Sequence, residues 1–269
     1  MKVVRTIADL RAALDPGPGR AASIGLVPTM GALHDGHRSL IAAAREGSEQ
    51  VVVSLFVNPA QFGRGEDLER YPRDEARDIA SAEAAGVDVL FAPDADQMYP
   101  DGFDTWIDPG KVGTFLEGSS RPGHFRGVAT ICTKLFLLVK PQRAYFGRKD
   151  AQQVAVAKQL VRDLELPVEI VACPTVRDVD GLALSSRNVF LSPEERQAAL
   201  ILPRALQAGL AAHRSGNDAV RAARDVLDAE PRIHVDYVAE ADLDGPTLAA
   251  AVVVGSTRLI DNVLLDAEA

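Results

Sequence analysis

Short apolar runs of strand length alternate with segments of helical period through the first two thirds of the chain, and this alternation constrains the fold most. The runs are 23–27, 51–56, 87–91, 143–146 and 168–172. Between them, helices are expected at 73–85 and 128–139, and Val154, Ala157, Leu160, Val161 and Leu164 recur at helical spacing. A βαβαβ order implies a parallel sheet covered by helices on both faces, a Rossmann-like doubly wound α/β fold. In such sheets ligands gather beyond the carboxyl ends of the strands, so functional polar motifs should follow strands.

The first motif does follow one. Residues 27–40 read Val-Pro-Thr-Met-Gly-Ala-Leu-His-Asp-Gly-His-Arg-Ser-Leu, a strand-to-helix turn marked by Pro28 and Gly31, with Asp35 expected to cap the helix. A helix start presents free N–H groups and a positive dipole end, which suits a phosphate. His34 and His37, three apart, share a face of the first turn and can donate to one developing negative charge. Such a pair is also compatible with capping or surface roles, whereas a Walker loop and a His-Glu-x-x-His zinc motif are absent from the sequence.

Four more polar stretches follow. After 51–56 comes Val-Asn-Pro-Ala-Gln-Phe, in which the amides of Asn58 and Gln61 flank a stiffening proline; alone, they read equally as turn formers. Residues 117–128 form a glycine-rich loop in which Arg121, His124 and Arg126 concentrate positive charge, as a lid over an anionic substrate would require. After 143–146 comes Gly147-Arg-Lys-Asp-Ala-Gln-Gln153. Here Lys149 is a compact charge for phosphate oxygens, Asp150 an acceptor for ribose hydroxyls, and Gln153 a partner for a hydroxylated substrate. After 168–172, Leu-Ser-Ser-Arg-Asn supplies hydroxyls from Ser185 and Ser186 and a bidentate phosphate donor in Arg187.

The strings Pro-Thr-Met-Gly-x-Leu-His-x-Gly-His, Asn-Pro-x-Gln-Phe, Arg-Pro-Gly-His-Phe-x-Gly-Val, Gly-x-Lys-Asp-x-Gln-Gln and Leu-Ser-Ser-Arg-Asn resemble, in order and spacing, the pantothenate synthetase family of HIGH-type nucleotidyltransferases. The resemblance implies ATP-dependent condensation of (R)-pantoate with β-alanine through a pantoyl adenylate, releasing pyrophosphate and AMP. It implies ATP binding by Met30, His34, His37, Gly147, Lys149, Asp150, Val176, Ser185, Ser186 and Arg187, with Arg187 in the counterpart of the KMSKS loop. It places pantoate on Asn58, Gln61 and Gln153, and the chemistry on His34, His37, Lys149, Ser185, Ser186 and Arg187. Magnesium would bridge nucleotide phosphates rather than occupy a protein-held metal site, and the chain would be a homodimer. Arg148 and Ala151 depart from the family, in which those positions hold an acidic and an aromatic residue in many members; this leaves the charge and packing of that turn open. Two other functions share the fold: a non-catalytic nucleotide sensor, and an adenylyltransferase for a different acid.

The composition changes near 175–178, giving an expected nucleotide- and pantoate-binding domain at 1–175 and a smaller α+β capping domain at 176–269. In the latter, Ser192-Pro-Glu-Glu195 starts an alanine-rich helix running to about residue 213; a second spans 217–229, followed by β-like segments 235–239 and 251–254 and an apolar stretch 259–265. A loop is expected at 15–20. The net charge of -9 argues against a nucleic-acid partner, and no apolar run approaches a membrane span. Without a signal-peptide core, and with Cys132 and Cys173 far apart in apolar contexts, a cytoplasmic protein with reduced thiols is expected. His213 and His234 read as surface or internally satisfied histidines.

Overall fold

The structure, a computed structural model, describes residues 1–15 and 22–266. The loop expected at 15–20 lies, beyond Asp15, outside them. The chain divides into two compact units, Met1–Gly147 with Gln152–Cys173, and Arg148–Ala151 with Pro174–Ala269.

In the first unit the elements are β1 (Lys2–Val4), α1 (Ile7–Leu14), β2 (Ile24–Thr29), α2 (Asp35–Gly47), β3 (Gln50–Leu55) and α3 (Glu75–Ala84). There follow β4 (Val89–Phe91), the short helices α4 (Ala95–Met98) and α5 (Glu117–Ser120), α6 (His124–Val139), β5 (Arg143–Gly147), α7 (Ala151–Asp163) and β6 (Glu169–Cys173). The strands form one parallel sheet in the order β1-β4-β3-β2-β5-β6. The fold is thus the doubly wound α/β arrangement that the strand–helix alternation predicts. Its strands are β-branched and buried on both faces: Val51, Val52 and Val53 are all inaccessible, and alternate residues serve opposite cores. Leu26, Val52, Phe91 and Phe146 pack on the side of α6 and α7, while Val27, Val53, Leu90 and Tyr145 pack on the side of α2. The chain order reverses between β2 and β5, so the segments leaving these two neighbouring strands flank the switch point where α/β sheets bind ligands.

The largest departures are one boundary and one element that was not expected. α6 starts at His124, not 128, because Gly123 in the left-handed region (φ 84°) ends the preceding turn and lets the helix begin inside the stretch read as a loop. β1 is too short, at three residues, to carry a strand signature; it exists because its backbone adds to the edge of β4.

The second unit contains α8 (Pro193–Ala199), α9 (Ile201–Arg214), α10 (Ala219–Asp228), β7 (Ile233–Asp242), β8 (Pro246–Val254) and β9 (Thr257–Leu264). Ser192 and Glu195 form the expected capping box. The helix expected to run to residue 213 breaks at Leu200. Pro203 has no N–H for a carbonyl one turn earlier and fits in the first turn of a new helix instead. β7, β8 and β9 form an antiparallel sheet. Strand β8 is longer than the apolar run 251–254 because its alanines, poor strand formers in isolation, are paired on both sides. Leu248, Ala250, Val252 and Val254 alternate onto a core with Leu202, Leu206, Ala223 and Leu227. Among the described residues no helix is long and apolar enough to cross a membrane.

Candidate active site

In the first unit the chain leaves β2 at Thr29 and turns sharply through Gly31 (φ 88°) and Ala32 (φ 52°) before α2. The turn is built on Asp78 of α3, which is 3% exposed. Ala32 N–H donates to Asp78 Oδ2 at 2.8 Å and Leu33 N–H to Oδ1 at 2.7 Å. Gly31 is required by its φ and because an added Cβ would meet Asp78 Oδ2 at 2.9 Å. The Thr29 hydroxyl donates to the Ser54 carbonyl at 2.6 Å and accepts from Gly31 N–H at 3.3 Å. Asp78 thus takes the N–H groups of the turn that precedes the helix, Ala32 and Leu33, and not those of the helix's first turn. The residue at the cap is His34, with Asp35 inside the first turn, because the extended backbone that a cap requires is found at residue 34.

His34 N–H donates to His37 Nδ1 at 3.3 Å, and the two rings lie 4.1 Å apart. With Nδ1 accepting, neutral His37 carries its proton on Nε2.

Beyond β3, Asn58 precedes the tight turn Pro59–Gln61 and is 1% exposed. Its Oδ1 accepts from the Tyr99 hydroxyl at 2.7 Å and Ala60 N–H at 3.3 Å; its Nδ2 donates to Gln61 Oε1 at 2.9 Å and the Gly127 carbonyl at 3.2 Å. Backbone groups have fixed polarity, so Ala60 and Gly127 settle which way the amide points. Asn58, expected to line the pantoate pocket, thus lies beneath Gln61 with its amide committed to the protein. Gln61 is 7% exposed with its oxygen occupied, and among the described residues no protein group accepts from its Nε2. Burial, then the neighbouring Cys132, pushes the Tyr99 phenol far above its ordinary value and keeps it a donor.

The cationic segment is closely tied to this turn. Arg121 donates to Glu66 from Nε at 3.2 Å and from Nη2 at 2.5 Å, and His124 Nδ1 lies 2.9 Å from the Gln61 carbonyl. A carbonyl can only accept, so neutral His124 is protonated at Nδ1, and its Nε2 accepts from Arg121 at 3.3 Å. Burial, followed by the Arg121 charge, lowers the His124 pKa to about 4. Burial opposes ionisation of Glu66, but the hydrogen bonds and charge of Arg121 hold it below the usual carboxylate range. Arg126 is exposed and stacks 4.7 Å from the Trp106 ring centroid. At the start of α7 the two glutamines part. Gln152 is buried and pins residues 112–117, donating to the Val112 and Phe115 carbonyls and accepting from Glu117 N–H, whereas Gln153 is half-buried.

In the second unit, Lys149 Nζ lies 3.6 Å from Asp150 Oδ2, and Asn262 of β9 donates to the carbonyls of Arg148 and Lys149 at 2.8 and 2.9 Å. Val176 is linked to the serine motif by a small hairpin, with Leu184 N–H donating to the Val176 carbonyl and Arg177 bridged to Ala183. Arg177 holds Asp261 of β9 in bidentate fashion, at 2.6 and 3.0 Å. Ser185 caps the turn Ser186–Phe190 by accepting from Arg187 N–H. That turn and the Lys149 turn both pack on β9.

The pantoate-beta-alanine ligase family model matches residues 2–264, which span every one of these motifs. The chain belongs to the pantoate-beta-alanine ligase family. The pantothenate synthetase of Roseiflexus castenholzii is 54% identical over 99% of this chain and 100% of its own length. The crystal structure of the pantothenate synthetase from Thermus thermophilus superposes with a TM-score of 0.92 at 49% identity, covering 98% of this chain and 99% of that one. A pantoate-beta-alanine ligase from Francisella tularensis, crystallised in complex with beta-gamma ATP and beta-alanine, gives 0.86 at 35% identity, covering 100% of this chain and 99% of that one. Arg148, whose charge the sequence left open, is paired locally. Its Nη2 donates to the Asp244 carboxylate at 2.6 Å and carbonyl at 2.8 Å, so the added charge is paired.

The contacts of Asp78, Tyr99, Asn262 and the Arg177–Asp261 pair with these motifs are not legible in the sequence. Each acts on a group 41 to 114 residues away. A lone aspartate among the other acids of α3 carries no signal of its own.

Proposed function

We propose that this member of the pantoate-beta-alanine ligase family joins (R)-pantoate to β-alanine in two steps. The pantoate carboxylate attacks the α-phosphorus of ATP, forming pantoyl adenylate and releasing pyrophosphate. The β-alanine amine then attacks the pantoyl carbonyl, forming the amide, expelling AMP and giving up a proton. The observation that carries the reading is the full-length family match, supported by the Francisella relative solved with beta-gamma ATP and beta-alanine.

In this reading Met30, Gly147, Asp150 and Val176 hold the nucleoside, and His34 and His37 donate to the α-phosphate as charge builds on it. Lys149, Ser185, Ser186 and Arg187 neutralise the phosphates that leave as pyrophosphate, with magnesium arriving on the nucleotide as part of the substrate. Gln61 and Gln153 orient pantoate with neutral amides. A bidentate arginine there would hold the nucleophilic carboxylate in an ion pair. Asn58 serves pantoate through Gln61, and Arg121, His124 and Arg126 form the cover on that side. The chain works as a cytoplasmic homodimer; free buried Cys132 and Cys173 suit a reducing compartment.

The test is ATP–pyrophosphate exchange. It should require pantoate and proceed without β-alanine. Exchange driven by another acid, with pantoate inert, would point to a different adenylyltransferase. No exchange with any acid, despite nucleotide binding, would favour a sensor. Sedimentation analysis tests the dimer.

A further inference from the structure

We propose that Asp78 is a positioning residue for adenylate formation, acting through the Ala32–Leu33 backbone to hold His34 and His37 in register. The proposal rests on the reading of the two histidines given above.

Asp78 sits on α3, 46 and 45 residues in sequence from the N–H groups it accepts, and is almost wholly buried. Each carboxylate oxygen takes one N–H, at 2.8 and 2.7 Å, so both peptide planes are fixed in direction. Those planes flank the costly point of the turn, Ala32 at φ 52°, a conformation that a side chain disfavours and that glycine adopts freely. Leu33 precedes His34, whose N–H reaches His37 Nδ1. The His34 N–H lies in the next plane, between Leu33 and His34, so releasing the 32–33 peptide from Asp78 would shift the start of that plane, move the N–H away from His37 and lift the constraint that puts hydrogen on Nε2. The carboxylate is thus the remote end of a short chain of contacts that fixes which ring nitrogen of His37 carries hydrogen.

Asp78→Asn keeps the shape but replaces one acceptor with an NH2 group facing an N–H, two donors in opposition. The rate of adenylate formation, read in single turnover with pantoate and ATP, should fall about 10- to 100-fold, with half-saturating pantoate changed less than about twofold. Ala32→Gly makes the left-handed turn accessible without the carboxylate, a change of about tenfold in its population. The double variant should therefore regain several-fold in rate over Asp78→Asn, while Ala32→Gly alone stays close to the parent. Ala32→Val, with Asp78 intact, should slow the same step because a β-branched residue resists that φ. It keeps the idea open to refutation even where Asp78→Asn does not fold.

A folded Ala32→Val protein with the parent's rate overturns the proposal. So does an Asp78→Asn protein that melts earlier yet turns over normally well below its Tm, or one whose loss is not recovered by Ala32→Gly. His37→Ala separates the two layers. If it retains the parent's rate, the histidine reading falls and this proposal with it. If it is slow while Asp78→Asn is not, only the role of Asp78 is lost.

Discussion

An imidazole can donate from either nitrogen, and in His37 the choice is made by a backbone amide that occupies Nδ1. A hydrogen on Nε2 is what a phosphoryl centre gaining negative charge needs. His37→Ala should lower the single-turnover rate of adenylate formation by about 100-fold or more, the usual loss for one transition-state donor. Unchanged turnover with only weaker ATP binding would remove His37 from the chemistry. Gln61 poses a sharper question, because Asn58 already occupies its oxygen. Gln61→Glu preserves that acceptor and converts only the outward NH2 into a carboxylate oxygen, set against an anionic acid in a site of lowered dielectric. We expect Gln61→Glu to raise the pantoate requirement more than Gln61→Ala, with ATP affinity by calorimetry nearly intact; a parental pantoate dependence in Gln61→Glu would mean that Gln61 does not touch the acid.

Strand β9 does at the level of elements what these amides do locally. Its Asp261 and Asn262 are adjacent and both buried; one clamps Arg177 at the base of the serine hairpin and the other holds the carbonyls of Arg148 and Lys149. A strand with no catalytic group of its own thereby fixes two turns that the sequence separates widely. Lys149→Ala should damage pyrophosphate-forming adenylation and spare the reaction of preformed pantoyl adenylate with β-alanine, where no pyrophosphate needs a counter-charge. Asn262→Ala should show the same split, more weakly, on the order of tenfold, since it loosens the turn without removing the charge. Equal losses in both half-reactions, from either variant, would contradict the assignment to the phosphates. The motif at 117–128 carries the same lesson about legibility. Its cations are plain in the sequence, but that it becomes a helix from His124 depended on Gly123 adopting φ 84°, and that Arg121 is tied to Glu66 depended on a residue 55 positions away.

For the whole molecule, buried His124 ties active-site architecture to acid stability. Its folded pKa, about 4, lies below the ordinary 6.5, so between these values the unfolded chain binds the extra proton. Its contribution is complete above about pH 6.5 and is lost as pH falls toward 4, by up to about 3 kcal/mol. Glu66, held low by Arg121, adds a further loss as pH falls below its ordinary value of 4.5. Urea unfolding from pH 7 to pH 4 should show stability falling with pH, and His124→Gln should flatten that slope; equal slopes would refute the assignment. The sequence by itself determined the parallel α/β class, since strand-length apolar runs alternating with helical periods have few other ways to bury both faces. It also determined the family and the chemical types gathered in each motif, because short-range spacing and side-chain chemistry are local properties. Only the tertiary structure decided that Asn58 lies under Gln61, that Gln152 is a pin and Gln153 is not, and that Asp78 and Asn262 hold the turns bearing His34 and Lys149. Those relations join groups dozens of residues apart, and burial and hydrogen-bond direction exist only once the chain has brought them together.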